Sequence, residues 1–272
     1  MECDLLMAVD IKKVISGGAE IEYFKYGAGE RTLVVLPGLA VKSVLLYKDM
    51  VAGALGLFGE GFEVYVFDRR SNLPESYSVE DMARDYIAAF EALGLKDVAI
   101  YGISQGGMIA LTLTLQRPDL VSALVLGSTS ARLSDESKAV VKEWNTLANA
   151  KDGHGLIDSF IKYVYSPAFA EKYGEAIAKS LEGITDEEFA RLAVLTGRMN
   201  EYDIYDRLGE INCPALILCG DEDAVLGSKA PAELSAIRNS EIHVFQGFGH
   251  AVYDEEPEFR EKAMAFLTKT LL

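Results

Sequence analysis

The sequence predicts an α/β protein: a mostly parallel sheet with helices on both faces, interrupted by one all-helical insertion. Three observations predict it. Half of the 272 residues are apolar and a quarter are charged, enough to bury a substantial core without staples. Short apolar runs bounded by turn residues alternate with longer helical stretches, an order that specifies parallel strands joined by crossover helices. Between residues 131 and 210 the strands vanish and helical spacing takes over, after which the alternation resumes. The chain thus divides into a core domain of residues 1–130 and 211–272 and an insertion of residues 131–210.

Ile21 to Tyr26 and Thr32 to Leu36 are the first strands, the second stopping at Pro37-Gly38. A helix is expected from Ser43 to about Leu57, then a strand from Glu63 to Phe67 and a polar connection through Asp68-Arg69-Arg70 to Pro74. Ser78 has the chemistry of a helix N-cap, with Asp81 three residues on. Met82, Tyr86, Ala89, Phe90 and Leu93 then repeat at helical spacing up to Gly94. Val98 to Tyr101 is a buried strand that runs into Gly102-Ile103-Ser104-Gln105-Gly106-Gly107. Leu111-Thr112-Leu113-Thr114-Leu115 alternates with the period of a strand. We read it as helix, because the run from Gln105 to Arg117 has no turn signal after its glycines and a helix buried on several sides need not be amphipathic. Val121 to Leu126 is the next strand. About four helices fill the insertion, and the chain closes with a strand (Ala215 to Cys219), a helix (Ala230 to Ile237), a strand (Glu241 to Phe245) and a helix (Glu255 to Leu271).

The charge balance narrows the partners. Forty-two acidic against 26 basic side chains leave a formal charge of −16, which repels phosphate backbones and anionic membrane surfaces. The densest basic pairs are only Lys12-Lys13 and Arg69-Arg70. A neutral or cationic small-molecule substrate is the expected partner, with no nucleic acid and no membrane. No apolar run approaches the roughly 18 residues that span a bilayer. Cys3, Cys213 and Cys219 are odd in number and lack C-x-x-C spacing, and the opening residues Met1-Glu2-Cys3-Asp4 carry no basic flank, so a reducing cytoplasm is expected.

Gly102-x-Ser104-x-Gly106 lies between a buried strand and a helix, the setting in which a serine is presented on a sharp turn as a nucleophile. The glycines have a physical task there, since the turn leaves room only for hydrogen beside the serine. A bare G-x-S-x-G is a weak signal, so the base and the acid must be found. Of the three histidines, His243 lies in an apolar strand and reads as a hydrogen-bonded structural imidazole, and His154 reads as a solvated turn residue. His250 follows the last strand, in a loop at the carboxyl edge of the sheet where ligands bind in such folds. The strand ending at Cys219 leads into Gly220-Asp221-Glu222-Asp223, which offers three carboxylates as the orienting acid. The chain order is then serine, acid, histidine.

These segments resemble the serine-dependent α/β-hydrolases over nearly the whole chain: Leu36-Pro37-Gly38, Asp68-Arg69-Arg70, the turn around Ser104, Gly220-x-x-Asp223, and Gly249-His250 followed by Glu255-x-Pro257. The resemblance implies an α/β-hydrolase fold with a helical cap, and a triad of Ser104, Asp223 and His250, the acid being the last residue of Gly-x-x-Asp rather than Asp221. It implies an oxyanion hole of two backbone N–H groups, from Gln105 and from Leu39. Two departures stand out. Pro37-Gly38 replaces the family's His-Gly, and Asp68-Arg69-Arg70-Ser71-Asn72-Leu73 replaces Asp-x-Arg-Gly-x-Gly. Neither touches the triad.

Serine at position 104 argues against the aspartate-nucleophile relatives. No residues have metal-ligand spacing and no glycine-rich turn has phosphate-loop or dinucleotide order, so no cofactor and no metal is expected. The expected activity is cleavage of a small, fairly apolar carboxylic ester through an acyl-enzyme. Carbon–carbon, amide or thioester hydrolysis on the same triad, or slow-turnover ligand sensing, are the alternatives. Trp144, Phe160, Tyr163, Tyr165, Phe169, Tyr173, Phe189 and Met199 are candidates to line the pocket, although aromatics at helical spacing are more often cap core.

Overall fold

The computed structural model describes residues 9–272; Cys3 and the acidic opening residues lie outside the described residues. One eight-stranded sheet is built from β1 (Lys12–Ser16), β2 (Ala19–Tyr26), β3 (Arg31–Leu36), β4 (Phe62–Phe67), β5 (Val98–Ile103), β6 (Val121–Gly127), β7 (Ala215–Gly220) and β8 (Ser240–Phe245). The order across the sheet is β1-β2-β4-β3-β5-β6-β7-β8. The β1–β2 and β2–β4 pairs are antiparallel and the other pairs are parallel.

Side chains alternate across each strand, and both faces are buried, which is why the central strands read as unbroken apolar runs. In β3, Val34 and Leu36 join one core with Ile100, Leu124 and Ile217, whereas Leu33 and Val35 join the opposite core with Ala99, Val125 and Leu218. The first core is covered by α2 (Val79–Leu93), α3 (Gln105–Gln116) and the short α8 (Ala230–Leu234). The second is covered by α1 (Lys48–Ala54) and α10 (Glu258–Leu271). Ser78 caps α2 in a capping box with Asp81, and Gly94 ends it with φ 69°.

The Leu-Thr-Leu-Thr-Leu run is helical, and its threonines explain how. Within α3 the hydroxyls of Thr112 and Thr114 donate to the carbonyls of Met108 (2.9 Å) and Ala110 (2.8 Å), so a helix buried from Gln105 through Thr114 leaves neither hydroxyl unpaired.

Four elements differ from expectation. The sequence reading has no strand before Ile21, yet β1 is there, joined to β2 by Gly17-Gly18 with φ of 58° and 80°. That is a two-residue hairpin turn, a signal present in the sequence. The helix expected from Ser43 to Leu57 is broken into a 3-10 turn (Val44–Tyr47), α1 and a second 3-10 turn (Gly56–Glu60) that buries Phe58 completely. The helix expected from Ala230 to Ile237 is only α8. The closing helix is split into α9 (Val252–Glu255) and α10, because Pro257 cannot continue the hydrogen-bond ladder.

Between β6 and β7 lie α4 (Asp135–Ala150), α5 (Gly153–Val164), α6 (Pro167–Leu181) and α7 (Asp186–Gly197). α4 packs on α5 and α7, and α6 on α5. The chain enters and leaves this segment at one place, where Arg132 pairs with Asp203 in an isolated bridge and the Ile204 amide donates to the Ala131 carbonyl at 2.9 Å. Among the described residues no helix is long and apolar enough to cross a membrane.

Candidate active site

β5 is buried along its whole length, and it delivers Ser104 to the start of α3 with φ 51° and ψ −121°, a conformation that costs free energy and persists only under packing. The packing is severe. A Cβ on Gly106 would stand 2.0 Å from the Leu36 carbonyl oxygen, and one on Gly102 would stand 2.8 Å from the Gly106 oxygen. The Ser104 amide donates to the Gly127 carbonyl at 2.8 Å, and the Thr129 hydroxyl donates to the Ser104 carbonyl at 2.7 Å.

His250 lies in the loop after β8 with its Nε2 3.0 Å from Ser104 Oγ and its Nδ1 2.8 Å from Asp223 Oδ2. All three side chains are buried. Asp223 Oδ1 accepts from the amides of Val225 and Leu226, each at 2.8 Å, so one oxygen anchors the carboxylate and the other faces the imidazole. Asp221 is otherwise occupied, accepting from the Gly247 amide at 2.7 Å, and Glu222 is exposed. The loop holding His250 is pinned by the Ala251 amide donating to Val164 at 2.8 Å.

The other histidines stand elsewhere. His154 is exposed beside Asp158. His243, expected to be a hydrogen-bonded structural imidazole, is instead half-exposed on the edge strand β8, edge to face with Phe245 at 4.5 Å, and burial pulls its pKa down.

The residues expected to form an oxyanion hole flank the same spot. Gln105 is the first residue of α3, where the leading N–H groups lack helical acceptors. Leu39 follows Gly38, whose own Cβ would stand 3.2 Å from Ser104 Cβ. Neither amide donates to a protein acceptor among the described residues.

A model of the alpha/beta hydrolase fold family matches residues 31–257. The chain belongs to that family. This α/β-hydrolase is 24% identical over 95% of its length to "Uncharacterized hydrolase YugF" of Bacillus subtilis, of which it covers 98%. Among solved structures it is similar to MGS-M2, an alpha/beta hydrolase enzyme from a deep-sea metagenome library, with a TM-score of 0.85 and 24% identity, over 96% of this chain and 98% of that one. A thermophilic esterase from Thermogutta terrifontis matches with a TM-score of 0.79 and 23% identity, over 97% of this chain and 100% of that one.

In this hydrolase one buried residue beside the site was given no role there by the sequence reading. Arg69, at the carboxyl end of β4, is 4% exposed. Its guanidinium donates to the Pro37 carbonyl (2.7 Å), to Gln105 Oε1 (3.0 Å) and to the Tyr86 hydroxyl (3.2 Å), and that hydroxyl donates to the Asp68 carbonyl (2.8 Å). Gln105 Nε2 donates onward to the Leu195 carbonyl in α7 at 2.9 Å, and Arg191 of α7 pairs with Asp68 at 2.6 Å. One buried network therefore holds the loop before Leu39, the residue after Ser104 and the inserted helices in fixed relation. The available signal was position: Arg69 follows an apolar strand at the carboxyl edge of the sheet.

Ser104 and His250 open onto a cavity of about 310 Å³, walled mostly by apolar groups. Of the aromatic candidates, Trp144, Phe160 and Tyr165 line it. Phe189 and Met199 are core residues of the insertion, and Tyr173 is largely exposed.

Proposed function

We propose that this chain is a serine hydrolase that cleaves a small, fairly apolar carboxylic ester through an acyl-enzyme. The observation that carries the reading is the continuous array from Ser104 Oγ through His250 to Asp223, opening onto a mostly apolar cavity. In this reading His250 Nε2 takes the proton as Ser104 Oγ attacks the ester carbonyl carbon, while Asp223 holds Nδ1–H and so fixes the tautomer. The oxygen of the tetrahedral intermediate accepts from the N–H groups of Leu39 and Gln105. Collapse breaks the bond to the alcohol, which leaves with the proton from His250. Water then repeats the sequence on the acyl-enzyme and frees the acid. Residues 131–210 act as a cap that roofs the cavity. The Thermogutta relative, an esterase by name, supports the choice of ester over carbon–carbon, amide or thioester bonds.

The test is a series of p-nitrophenyl esters of increasing chain length. Each added methylene buried in the cavity contributes about 0.8 kcal/mol, roughly fourfold in kcat/KM, until the space is full. The profile is expected to climb from acetate to a short or medium chain and then fall steeply. A profile still rising at palmitate contradicts an acyl site limited to this cavity. No turnover at any length overturns the ester assignment.

A further inference from the structure

The cavity that opens on Ser104 is mostly apolar, and apart from His250 its charged side chains are Lys42 and Asp254. Lys42 is engaged: its ammonium donates to the carbonyls of Ser180 (3.2 Å) and Glu182 (2.8 Å), tying the loop after β3 to the end of α6. Asp254 is not engaged in this way. Among the described residues no cation lies within ion-pairing distance of its carboxylate, and Arg260, whose charge acts on it only at longer range, donates instead to the Tyr253 carbonyl at 3.0 Å. Asp254 is exposed to solvent at the cavity wall, and the protein packed around it pushes its carboxyl up to about 6. Its charge reaches the hydroxyls of Tyr165 and Tyr253, which line the same cavity, and burial keeps both phenols neutral, pushing Tyr165 up to about 12.

A carboxylate without a counter-ion, set beside aromatic rings at the wall of a mostly apolar cavity, is the chemistry that recognises an organic ammonium ion. The carboxylate supplies charge, the rings supply cation–π attraction, and the apolar wall accepts the methyl or methylene groups. We propose that Asp254 determines specificity by receiving a positively charged amine or quaternary ammonium group on the substrate, with Tyr165 and Tyr253 flanking it. The proposal rests on the reading of Ser104 as the nucleophile of an ester hydrolase, and adds the substrate's charge. The carboxylate also disfavours substrates that bear a free acid, through like-charge repulsion. The overall charge of −16 favours the same sign of ligand during approach.

The chain's single tryptophan, Trp144, lines this cavity, so binding is read from its fluorescence without any turnover. Choline and 3,3-dimethylbutan-1-ol have nearly the same shape and differ in charge. At pH 8, wild type is expected to bind choline about tenfold more tightly than the neutral alcohol, about 1.4 kcal/mol. In Asp254→Asn the two affinities should become equal, while Asp254→Glu, which restores the charge, should recover most of the preference. Equal affinities in wild type, no saturable response to choline, or a preference that survives in Asp254→Asn would each overturn the proposal. Failure of the underlying reading shows separately, as absence of p-nitrophenyl ester turnover in the same preparation.

Discussion

Asp221 and Asp223 stand two residues apart in one turn and do different work. Asp223 presents one oxygen to His250 and anchors the other on two amides, whereas Asp221 holds the Gly247 amide at the start of the histidine loop. Asp223→Asn should therefore lower kcat by about 10⁴-fold, because an amide offers His250 the wrong tautomer, while Asp221→Asn should change it only a few-fold. Steady-state kinetics on one ester decide the ranking, and the reverse order would move the acid to Asp221. Arg69 acts without touching the reacting atoms. Arg69→Met leaves the Pro37 carbonyl and Gln105 Oε1 without this donor and frees both backbone segments that carry the N–H groups proposed for the oxyanion hole. We expect kcat to fall by about 10- to 100-fold with KM changed far less, and Arg69→Lys to recover part of the loss. Equal effects on kcat and on the denaturation midpoint of an inactive Ser104→Ala background would reduce Arg69 to a purely structural residue. Ser104 and His250 were legible because glycines mark the turn and only three histidines compete. Arg69 was not, since its partners lie 32 and 36 residues away and become neighbours only when β3, β4 and β5 pair.

The strand-to-helix turn is the element on which the site depends, and its glycines are there for space. In Gly106→Ala the new methyl meets the Leu36 and Pro37 carbonyl oxygens at 2.0 and 2.6 Å, and backbone cannot swing aside as a side chain can. We expect a loss of about 3 kcal/mol or more in chemical denaturation. Gly94→Ala makes the useful contrast, because nothing lies within 4 Å of its Cβ and only the φ of 69° resists. Its cost should be about 1 kcal/mol. Similar losses at the two positions would mean that the turn has more room than its geometry indicates. Element by element, strands buried on both faces were the most readable, since a continuous apolar run has few other homes. The helix expected from Ser43 to Leu57 was misjudged because periodicity cannot reveal that Phe58 must turn inward to meet Tyr101, 5.4 Å away. β1 was missed because only Val14 in it is buried, and a strand with one buried side chain leaves almost no pattern.

At the scale of the molecule, the sheet brings three chain segments to one edge and the inserted helices close over them. Ties cross from insertion to core at several points: Arg191 to Asp68, Gln105 to Leu195, Lys42 to Ser180 and Glu182, and Glu255 to the Ser166 amide (2.8 Å) and hydroxyl (2.6 Å). Each is a polar contact between residues far apart in sequence, which is why the helices between β6 and β7 could be read from apolar spacing and their docking could not. The inserted helices contribute Trp144, Phe160, Val164, Tyr165 and Leu181 to the cavity wall, and the core contributes Ser104, His250 and Asp254. The whole account turns on Ser104 being the nucleophile. Reaction with a fluorophosphonate probe, followed by mass spectrometry of the digested protein, tests this directly. One adduct per chain on the peptide carrying Ser104, absent from Ser104→Ala, is the predicted result; an adduct on another residue, or an alanine variant that still labels, would contradict it.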